Sequence, residues 1–256
     1  MKKIISYSLW GDTPMYNVGA VENAVNAEEL YPDWICRYYV GESVPSETLD
    51  KLLSKSNTEI VRVKLDNDWS GMFWRFFAID DSDIVIFRDT DSRLTQRERV
   101  AVDEWLKSEE PLHIMRDHPY HDEPIMGGMW GVRSNLFMDL LRTQTKMYEL
   151  KGFMEFIGTG IQELVSNTGL NYKGVDQIFL RMVYKFMNEF SHIQDQFSMH
   201  HDDTTNKFST EYKNPNDFIG QVYDENNVPT EEFANLLRDA VCKDNPNHPW
   251  NKEVLQ

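Results

Sequence analysis

Residues 82–94, SDIVIFRDTDSRL, decide the fold class that the sequence predicts. Ile84–Phe87 is a short and fully apolar run, which is typical of a buried strand. Two carboxylates, Asp89 and Asp91, follow it directly and are one residue apart. In open α/β folds the carboxyl ends of the strands face the crevice where ligands bind. The segment therefore predicts an α/β protein with acidic groups at its binding edge.

The residues before this motif alternate between strand and helix patterns. The predicted strands are KIISYSL, WICRYYV, EIVRVK and DIVIF. Between them lie a helix from about Asn17 with Val21, Ala24 and Val25 on one face, a short helix capped by Ser46, and a helical segment GMFWRFFAI. Strands that are separated by helices favour right-handed crossovers, and so a mainly parallel central sheet flanked by helices on both faces.

The second half of the chain continues this pattern less regularly. Thr95 and Glu98 form a capping box at the start of a helix. PLHIMR and MGGMWGV are later predicted strands, and helices are expected from about Asn135 and over Val175–Met187. Residues from about 188 to 230 are polar and rich in Asn and Asp. Because the chain contains no internal repeat or obvious linker, we expect a single domain.

Composition narrows the class of protein. The chain has 256 residues, is 41% hydrophobic and carries a formal net charge of −16. It therefore lacks the basic excess that replaces the counterions of nucleic acid, and we expect no nucleic-acid partner. No run approaches the roughly 18 apolar residues of a membrane span. Its two cysteines, Cys36 and Cys242, lack metal-ligand spacing. We expect a cytoplasmic protein with reduced thiols and no transmembrane segment.

The acidic pair allows several interpretations. Asp89 and Asp91 can hold one hard divalent cation, because Asp-x-Asp brings two oxygen donors to one ion. Alternatively, they cap the helix that starts near Thr95 and pair with Arg88 and Arg93. An EF-hand loop is excluded, since Ser-Arg-Leu-Thr follows the second Asp where further ligands and a glycine are required. A nicotinamide enzyme would need G-x-G-x-x-G after the first strand, where the sequence has GDTPMYNVGA.

A phosphohydrolase of the haloacid-dehalogenase type also places D-x-D after an apolar strand, with the first Asp, here Asp89, as the nucleophile. That motif usually follows the first strand of the chain and precedes small residues. Here it follows the fourth predicted strand, and Arg93 crowds the loop. This interpretation stays open as an alternative, as does a non-catalytic module that binds nucleotide sugars or carbohydrate.

The longer segment FWRFFAIDDSDIVIFRDTDSRL resembles the D-x-D region of nucleotide-sugar glycosyltransferases with the GT-A fold. Further segments are similar to that class: SLWGD, YPDWICRYYVGESVP, IMRDHPYH with GGMWG, GVDQIFL, and HHDD followed by DFIGQVYD. Together they cover most of the chain and resemble bacterial and viral polysaccharide glycosyltransferases. The resemblance implies one GT-A domain over residues 1–256, with a nucleotide-binding half at about 1–95 and an acceptor-side half at about 96–256.

The same resemblance implies a reaction and a metal site. The reaction is transfer of a sugar from a nucleotide-diphosphate donor to a hydroxyl of a glycan or glycolipid acceptor, with Mn²⁺ or Mg²⁺ as cofactor. Asp89 and Asp91 are the implied metal ligands, together with His201. His200 and Asp202 are alternatives for the third ligand.

Asp176 is the implied catalytic base. It opens the amphipathic helix, near the position where inverting members of the class place the carboxylate that deprotonates the acceptor hydroxyl. An Asp that merely caps this helix is the plain alternative. An enzyme that retains the configuration of the sugar would need no such base.

The donor nucleotide is expected at the end of the first strand, at Ser8, Leu9 and Trp10. Backbone groups there can read the edge of a base, and Trp10 can stack on a ring or belong to the core. Thr90, between the two carboxylates, belongs to the same expected binding surface. The polar residues 116–118 are expected to line this cleft as well.

The donor diphosphate and sugar have their own candidates. Arg75 lies among aromatic residues, where a guanidinium is costly to bury unless it is paired, so we expect it to bind Asp89 or a phosphate. Gly127 and Gly128 indicate the close approach of a ligand, because glycine in a strand leaves room beside the backbone. We expect Trp130 to form a wall beside the donor sugar.

Overall fold

The computed structural model describes residues 1–64, 69–168, 173–198, 200, 204–246 and 248–251, excluding the side chains of 161–168. The centre of this part of the chain is a seven-stranded sheet of order β3-β2-β1-β4-β6-β5-β7. β6 is antiparallel to both of its neighbours, and every other pair is parallel. The strands are β1 Lys3–Leu9, β2 Ile35–Val40, β3 Thr58–Arg62, β4 Ile84–Phe87, β5 Leu112–Arg116, β6 Trp130–Arg133 and β7 Ser191–Asp195.

Helices cover both faces of the sheet. They are α1 Pro14–Leu30, α2 Ser46–Leu53, α3 Gln96–Lys107, α4 Ser134–Thr145, α5 Phe153–Thr168, α6 Val175–Met187 and α7 Glu231–Asp244, with 3-10 helices at Trp69–Asp81 and Asn188–Phe190. None of the helices in the described ranges is long and apolar enough to cross a lipid bilayer.

The hydrophobic core lies in two layers because successive strand residues point to opposite faces. Ile5 and Ile86 pack with α1, α2 and α3 on one face. Ile4 and Val85 pack on the other face with the long 3-10 helix, α4, α5 and α6. Burial on both faces explains why the central strands are continuous apolar runs rather than alternating ones. The predicted α/β class and the mainly parallel sheet are confirmed.

Helix α1 differs from its prediction. It begins at Pro14, three residues before the expected start, because proline is well tolerated in the first turn of a helix. Its buried side is formed by Ala20, Ala24 and Ala27, together with polar residues. Val25 was predicted on the inner face and is 40% exposed. A helix that lies close to a sheet favours small residues at the contact, so alanine outweighs the larger valine here.

The starts of helices α3 and α2 differ from the predicted caps. Thr95 caps α3 as predicted, and its Oγ1 accepts the backbone N–H of Glu98 at 3.2 Å. The carboxylate of Glu98 does not complete the box, because Arg88 binds it at 2.7 Å. Ser46 does not cap α2: it is the first residue of the helix, and Pro45 occupies the cap position without a side-chain bond.

The remaining differences lie in the second half of the chain. The segment MGGMWGV contributes only its last three residues, from Trp130, to β6, and its first two glycines form a turn. Two α-helices and one strand were not predicted: α5, α7 and β7. β7 has the polar sequence SHIQD, and its pairing with β5 identifies it as a strand where its composition does not.

Candidate active site

A cavity of about 480 Å³ lies at the carboxyl ends of β1 and β4. Its floor and walls come from the end of β1, the loop after β4, the turn at 126–129 before β6, the start of α6 and the segment 218–222. These elements meet because the parallel strands β1 and β4 end at the same edge of the sheet. The acidic motif therefore opens into this cavity.

One alternative interpretation was that Asp89 and Asp91 cap helix α3 and pair with Arg88 and Arg93, and the structure does not show these contacts. Arg88 is bound by Glu98, and Arg93 donates from Nε to Asn227 at 2.8 Å. The cap of α3 is Thr95 rather than either Asp. Capping and local pairing are therefore the wrong explanation of the motif.

Arg75 is the centre of the polar network in the cavity. Its guanidinium is buried and binds Asp89 through Nη1 and Asp176 through Nη2, the latter at 2.7 Å. A buried arginine needs such partners to offset its desolvation. The predicted contact with Asp89 is therefore present, and the contact with Asp176 was not foreseen. The two ion pairs of Arg75 connect the loop after β4 to the first turn of α6.

Asp176 is fully buried and lines the cavity. Burial raises the pKa of its carboxyl, while the charge of Arg75 lowers it. Its Oδ2 accepts from Arg75, and its Oδ1 has no hydrogen-bond partner in the described part of the chain. Asp176 is thus more than a helix cap, since its carboxylate forms a buried ion pair with Arg75.

Gly127 and Gly128 leave the space that the carboxylates of Asp176 and Asp89 occupy. A Cβ at Gly127 would lie 2.4 Å from Oδ2 of Asp176, and a Cβ at Gly128 would lie 2.1 Å from Oδ2 of Asp89. Both distances are far below van der Waals contact. Gly127 and Gly128 line the cavity, as expected, but the groups that approach them closely are the protein's own carboxylates.

Trp130 was wrongly predicted as a wall beside the donor sugar. Its side chain is fully buried and does not line the cavity. The ring packs against Phe87 and Phe76, with centroids 4.2 and 5.2 Å away, and its Nε1 donates to the carbonyl of Gly127 at 3.2 Å. Its large apolar surface places it in the core, where it supports the glycine turn from behind.

Asp91 is the acidic residue best suited to a cation. It lines the cavity and has no ion-pair partner among the residues described. Burial and the nearby charge of Asp89 raise the pKa of Asp91 to about 6. A divalent cation would relieve this repulsion between two oxygen donors, so the pair fits Mn²⁺ or Mg²⁺. Within the described ranges no group of three potential metal-ligating side chains occurs.

The predicted third ligand cannot be placed. His201 and its alternative Asp202 lie outside the described residues. His200 is described, and its Nε2 lies 2.9 Å from the backbone carbonyl of Asp122. It does not line the cavity.

The expected donor residues at the end of β1 all line the cavity. The Oγ of Ser8 accepts the backbone N–H of Arg75 at 2.9 Å, so it also fixes the long 3-10 helix. Leu9 is buried, and Trp10 is half-buried with its ring 5.8 Å from that of Trp74. Thr90 lines the cavity as well and is buried.

The polar residues 116–118 divide between two roles. Arg116 pairs with Asp195 at 3.0 Å, and Asp117 pairs with Arg97 at 2.7 Å, so these two are buried structural groups. His118 lines the cavity as expected.

One end of the cavity is aromatic, and sequence analysis predicted only His118 of its members to lie there. His118 is the centre of this aromatic end, and its ring lies within 6.1 Å of the rings of four other residues. Those residues, all lining the cavity, are Tyr120, His121, Phe218 and Phe233. Burial lowers the pKa of both histidines, so this end carries no charge at neutral pH. Phe233 belongs to α7, and no local pattern connects it to the others.

Comparison with solved structures identifies the fold. A crystal structure of the galactosyltransferase LgtC in complex with donor and acceptor sugar analogs matches with a TM-score of 0.51 at 12% identity, over 93% of this chain and 96% of that one. The chain has the GT-A glycosyltransferase fold.

Two further GT-A matches are partial. Staphylococcus aureus TarS 1-349 is 10% identical with a TM-score of 0.42, over 54% of this chain and 49% of that one. A glucosyl-3-phosphoglycerate synthase from Mycobacterium tuberculosis is 14% identical with a TM-score of 0.38, over 55% of this chain and 59% of that one. The match thus spans about half of each of these relatives. No protein-family model matches the chain, and no curated protein does.

Proposed function

We propose that the protein is a metal-dependent glycosyltransferase that moves a sugar from a nucleotide-diphosphate donor to a hydroxyl of a glycan or glycolipid. The observation that carries the proposal is Asp91, a carboxylate that lies beside Asp89 in the cavity of a GT-A fold and has no ion-pair partner among the described residues. As a single domain the chain would bind the nucleotide with about residues 1–95 and the acceptor with about 96–256.

Asp89 and Asp91 would hold Mn²⁺ or Mg²⁺, whose charge would stabilise the diphosphate as it leaves the sugar. Arg75 keeps Asp89 in a fixed orientation, because its guanidinium is itself fixed by Asp176. His201 stays the proposed third ligand. Ser8, Leu9, Trp10 and Thr90 would bind the nucleoside, and Gly127 and Gly128 would border the sugar.

The aromatic end of the cavity would bind the acceptor. A sugar ring offers apolar C–H faces that pack on aromatic side chains, and an uncharged lining suits a neutral saccharide. Tyr120 is 56% exposed and stands at the edge of this end, where an incoming acceptor would contact it first.

In the proposed reaction the bond between the sugar's anomeric carbon and the diphosphate oxygen breaks, and its electron pair leaves with the diphosphate. The acceptor oxygen forms the new bond to the anomeric carbon. For an inverting course, Asp176 takes the acceptor's proton on Oδ1, the atom without a described partner.

The phosphohydrolase alternative receives no support from the geometry. Its nucleophile would be Asp89, whose carboxylate is bound by Arg75. An arginine that stabilises the anion makes it a weaker nucleophile. A binding module without turnover differs from a transferase only in whether it consumes the donor, and the experiment below separates the two. A cytoplasmic location is part of the proposal, in keeping with two free cysteines.

The test is a thermal-shift screen of the purified protein against nucleoside diphosphates and nucleotide sugars, with and without Mn²⁺, because a ligand of the folded state raises the melting temperature. We expect one nucleotide family to raise it only with the metal, and the Asp91→Asn variant to lose that effect. Release of the nucleoside diphosphate from the matching donor then demonstrates turnover. A wild-type protein that responds to no nucleotide, and instead releases phosphate from simple phosphoesters, would contradict the proposal.

A further inference from the structure

The cavity lining contains few positively charged side chains that could bind an anionic substrate. Among the described lining residues, three are carboxylates and two are cationic, Arg75 and Lys173. The two histidines of the lining are kept neutral by burial. The protein's own groups therefore give the cavity a slight negative charge, although the donor of the proposed reaction carries a diphosphate.

Arg75 cannot supply the missing charge. It is 3% exposed, and both of its terminal nitrogens are bound to carboxylates, those of Asp89 and Asp176. Turning it toward a phosphate would leave a buried Asp176 without its partner, which is strongly unfavourable.

Lys173, unlike the buried and paired Arg75, is available to bind a phosphate. It is exposed, lines the cavity, and has no ion-pair or hydrogen-bond partner among the residues described. It lies two residues before the first residue of α6, separated from it by Gly174, which has a left-handed φ of 91°. It lines the same cavity as Asp91, the proposed metal ligand.

We propose that Lys173 binds the diphosphate of the donor and holds the nucleoside diphosphate that leaves during transfer. A lysine ammonium is a compact charge on a flexible stem, which suits phosphate oxygens whose position changes as the bond to the sugar breaks. The role rests on the proposed function and adds a second cationic contact to the one that a metal at Asp91 would provide.

The experiment is calorimetric titration of the full chain with UDP, GDP, ADP and dTDP at saturating Mn²⁺, followed by the monophosphate of whichever base binds. Lys173→Ala is compared with Lys173→Arg, which keeps the charge. Lys185→Ala, which removes an exposed lysine at the other end of α6, is the matched control.

We expect Lys173→Ala to weaken binding of the diphosphate by about tenfold or more, the usual effect of losing a hydrogen bond to a charged group. Binding of the monophosphate should change by much less, Lys173→Arg should recover most of the affinity, and Lys185→Ala should match the wild type. Equal affinity of Lys173→Ala and wild type for the diphosphate would overturn the inference, as would an equal loss for both nucleotides. A wild-type protein that binds none of the four diphosphates would instead overturn the transferase proposal, and this inference with it.

Discussion

At the scale of the residue, Arg75 shows how one buried side chain can organise a site. It joins Asp89 and Asp176, and the latter lies 101 positions further along the chain. The side chain of Asp89 is 48% exposed and that of Asp176 is fully buried, so removing Arg75 would leave one carboxylate, that of Asp176, unpaired in the interior. Such losses typically amount to about 3–5 kcal/mol of stability. The motif therefore depends on an arginine that lies outside it.

The proposed base can be tested at this scale. Asp176→Asn keeps an oxygen acceptor for Arg75 but removes the proton-accepting carboxylate. If Asp176 is the base, transfer should fall by about 10²–10⁴-fold, while binding of the donor with Mn²⁺ changes little. Steady-state transfer rates and calorimetric donor binding measure the two quantities separately. Near-normal transfer by the variant would remove Asp176 as the base and favour a retaining course.

His121 gives a prediction on pH. Burial lowers its pKa to about 3, and its Nδ1 accepts the backbone N–H of Asp117 at 3.0 Å. The unfolded chain binds a proton at its imidazole near pH 6.5, and the folded protein does not, so this contribution to stability is lost as the pH falls below that value. Between pH 7.5 and 5.0 the loss is about 2 kcal/mol.

The matched variant is His121→Asn, whose side-chain oxygen Oδ1 occupies the place of Nδ1 and can still accept the backbone N–H of Asp117. We expect wild type to lose about 2 kcal/mol more unfolding free energy than this variant over that pH range, measured by urea denaturation. The other titrating groups are common to both proteins and cancel in the difference. Parallel pH profiles would show that His121 is protonated in the folded state.

At the scale of the element, the contact between α1 and the loop after β4 determines where the acidic motif lies. Gly19 of α1 faces the carbonyl of Thr90, and a Cβ at that position would lie 1.8 Å from this oxygen. The helix can approach the loop only because the residue is glycine. The carbonyl of Thr90 also accepts from Arg93 at 3.3 Å, so the loop is held from two directions.

Two Gly→Ala substitutions in helices should therefore have opposite effects. Gly158→Ala in α5 meets nothing within 4 Å and should raise the unfolding free energy by up to about 1 kcal/mol through helix propensity. Gly19→Ala should lower it by about 1–3 kcal/mol, since the loop backbone has to move. Chemical denaturation measures both. A stabilised Gly19→Ala protein would mean that the helix and the loop are less closely packed than described.

At the scale of the whole molecule, the two cysteines report on different parts of the fold. Cys36 lies in β2 between β1 and β3, is fully buried, and has its pKa raised by burial to about 12. Cys242 is half-buried in α7. Because the thiolate is the reactive form, only the second should react readily in the native protein.

We expect an Ellman titration at pH 8 to detect one thiol promptly and the second only as the sheet unfolds. Cys242→Ser should leave only the slow reaction, and its rate in urea should follow global unfolding measured by circular dichroism. Prompt reaction of both thiols would place a local opening at β2 and contradict the buried position of Cys36.

The sequence by itself determined the elements with strong local patterns and the position of the acidic pair. The apolar runs of β1, β2 and β4 predict buried strands because both faces of the sheet are covered. The parallel βα order then places Asp89 and Asp91 at the binding edge. Arg75 was connected to Asp89 because a guanidinium among aromatic residues requires a partner.

Only the tertiary structure decided which groups meet at the cavity. Trp130 belongs to the core, the glycines make room for carboxylates, and Asp176 completes the network of Arg75. β7 is a strand because β5 offers it an edge, although its own residues are polar. The physical reason is common to all of these: each depends on a partner distant in the chain, and a periodic pattern records only which side of its own element a residue lies on.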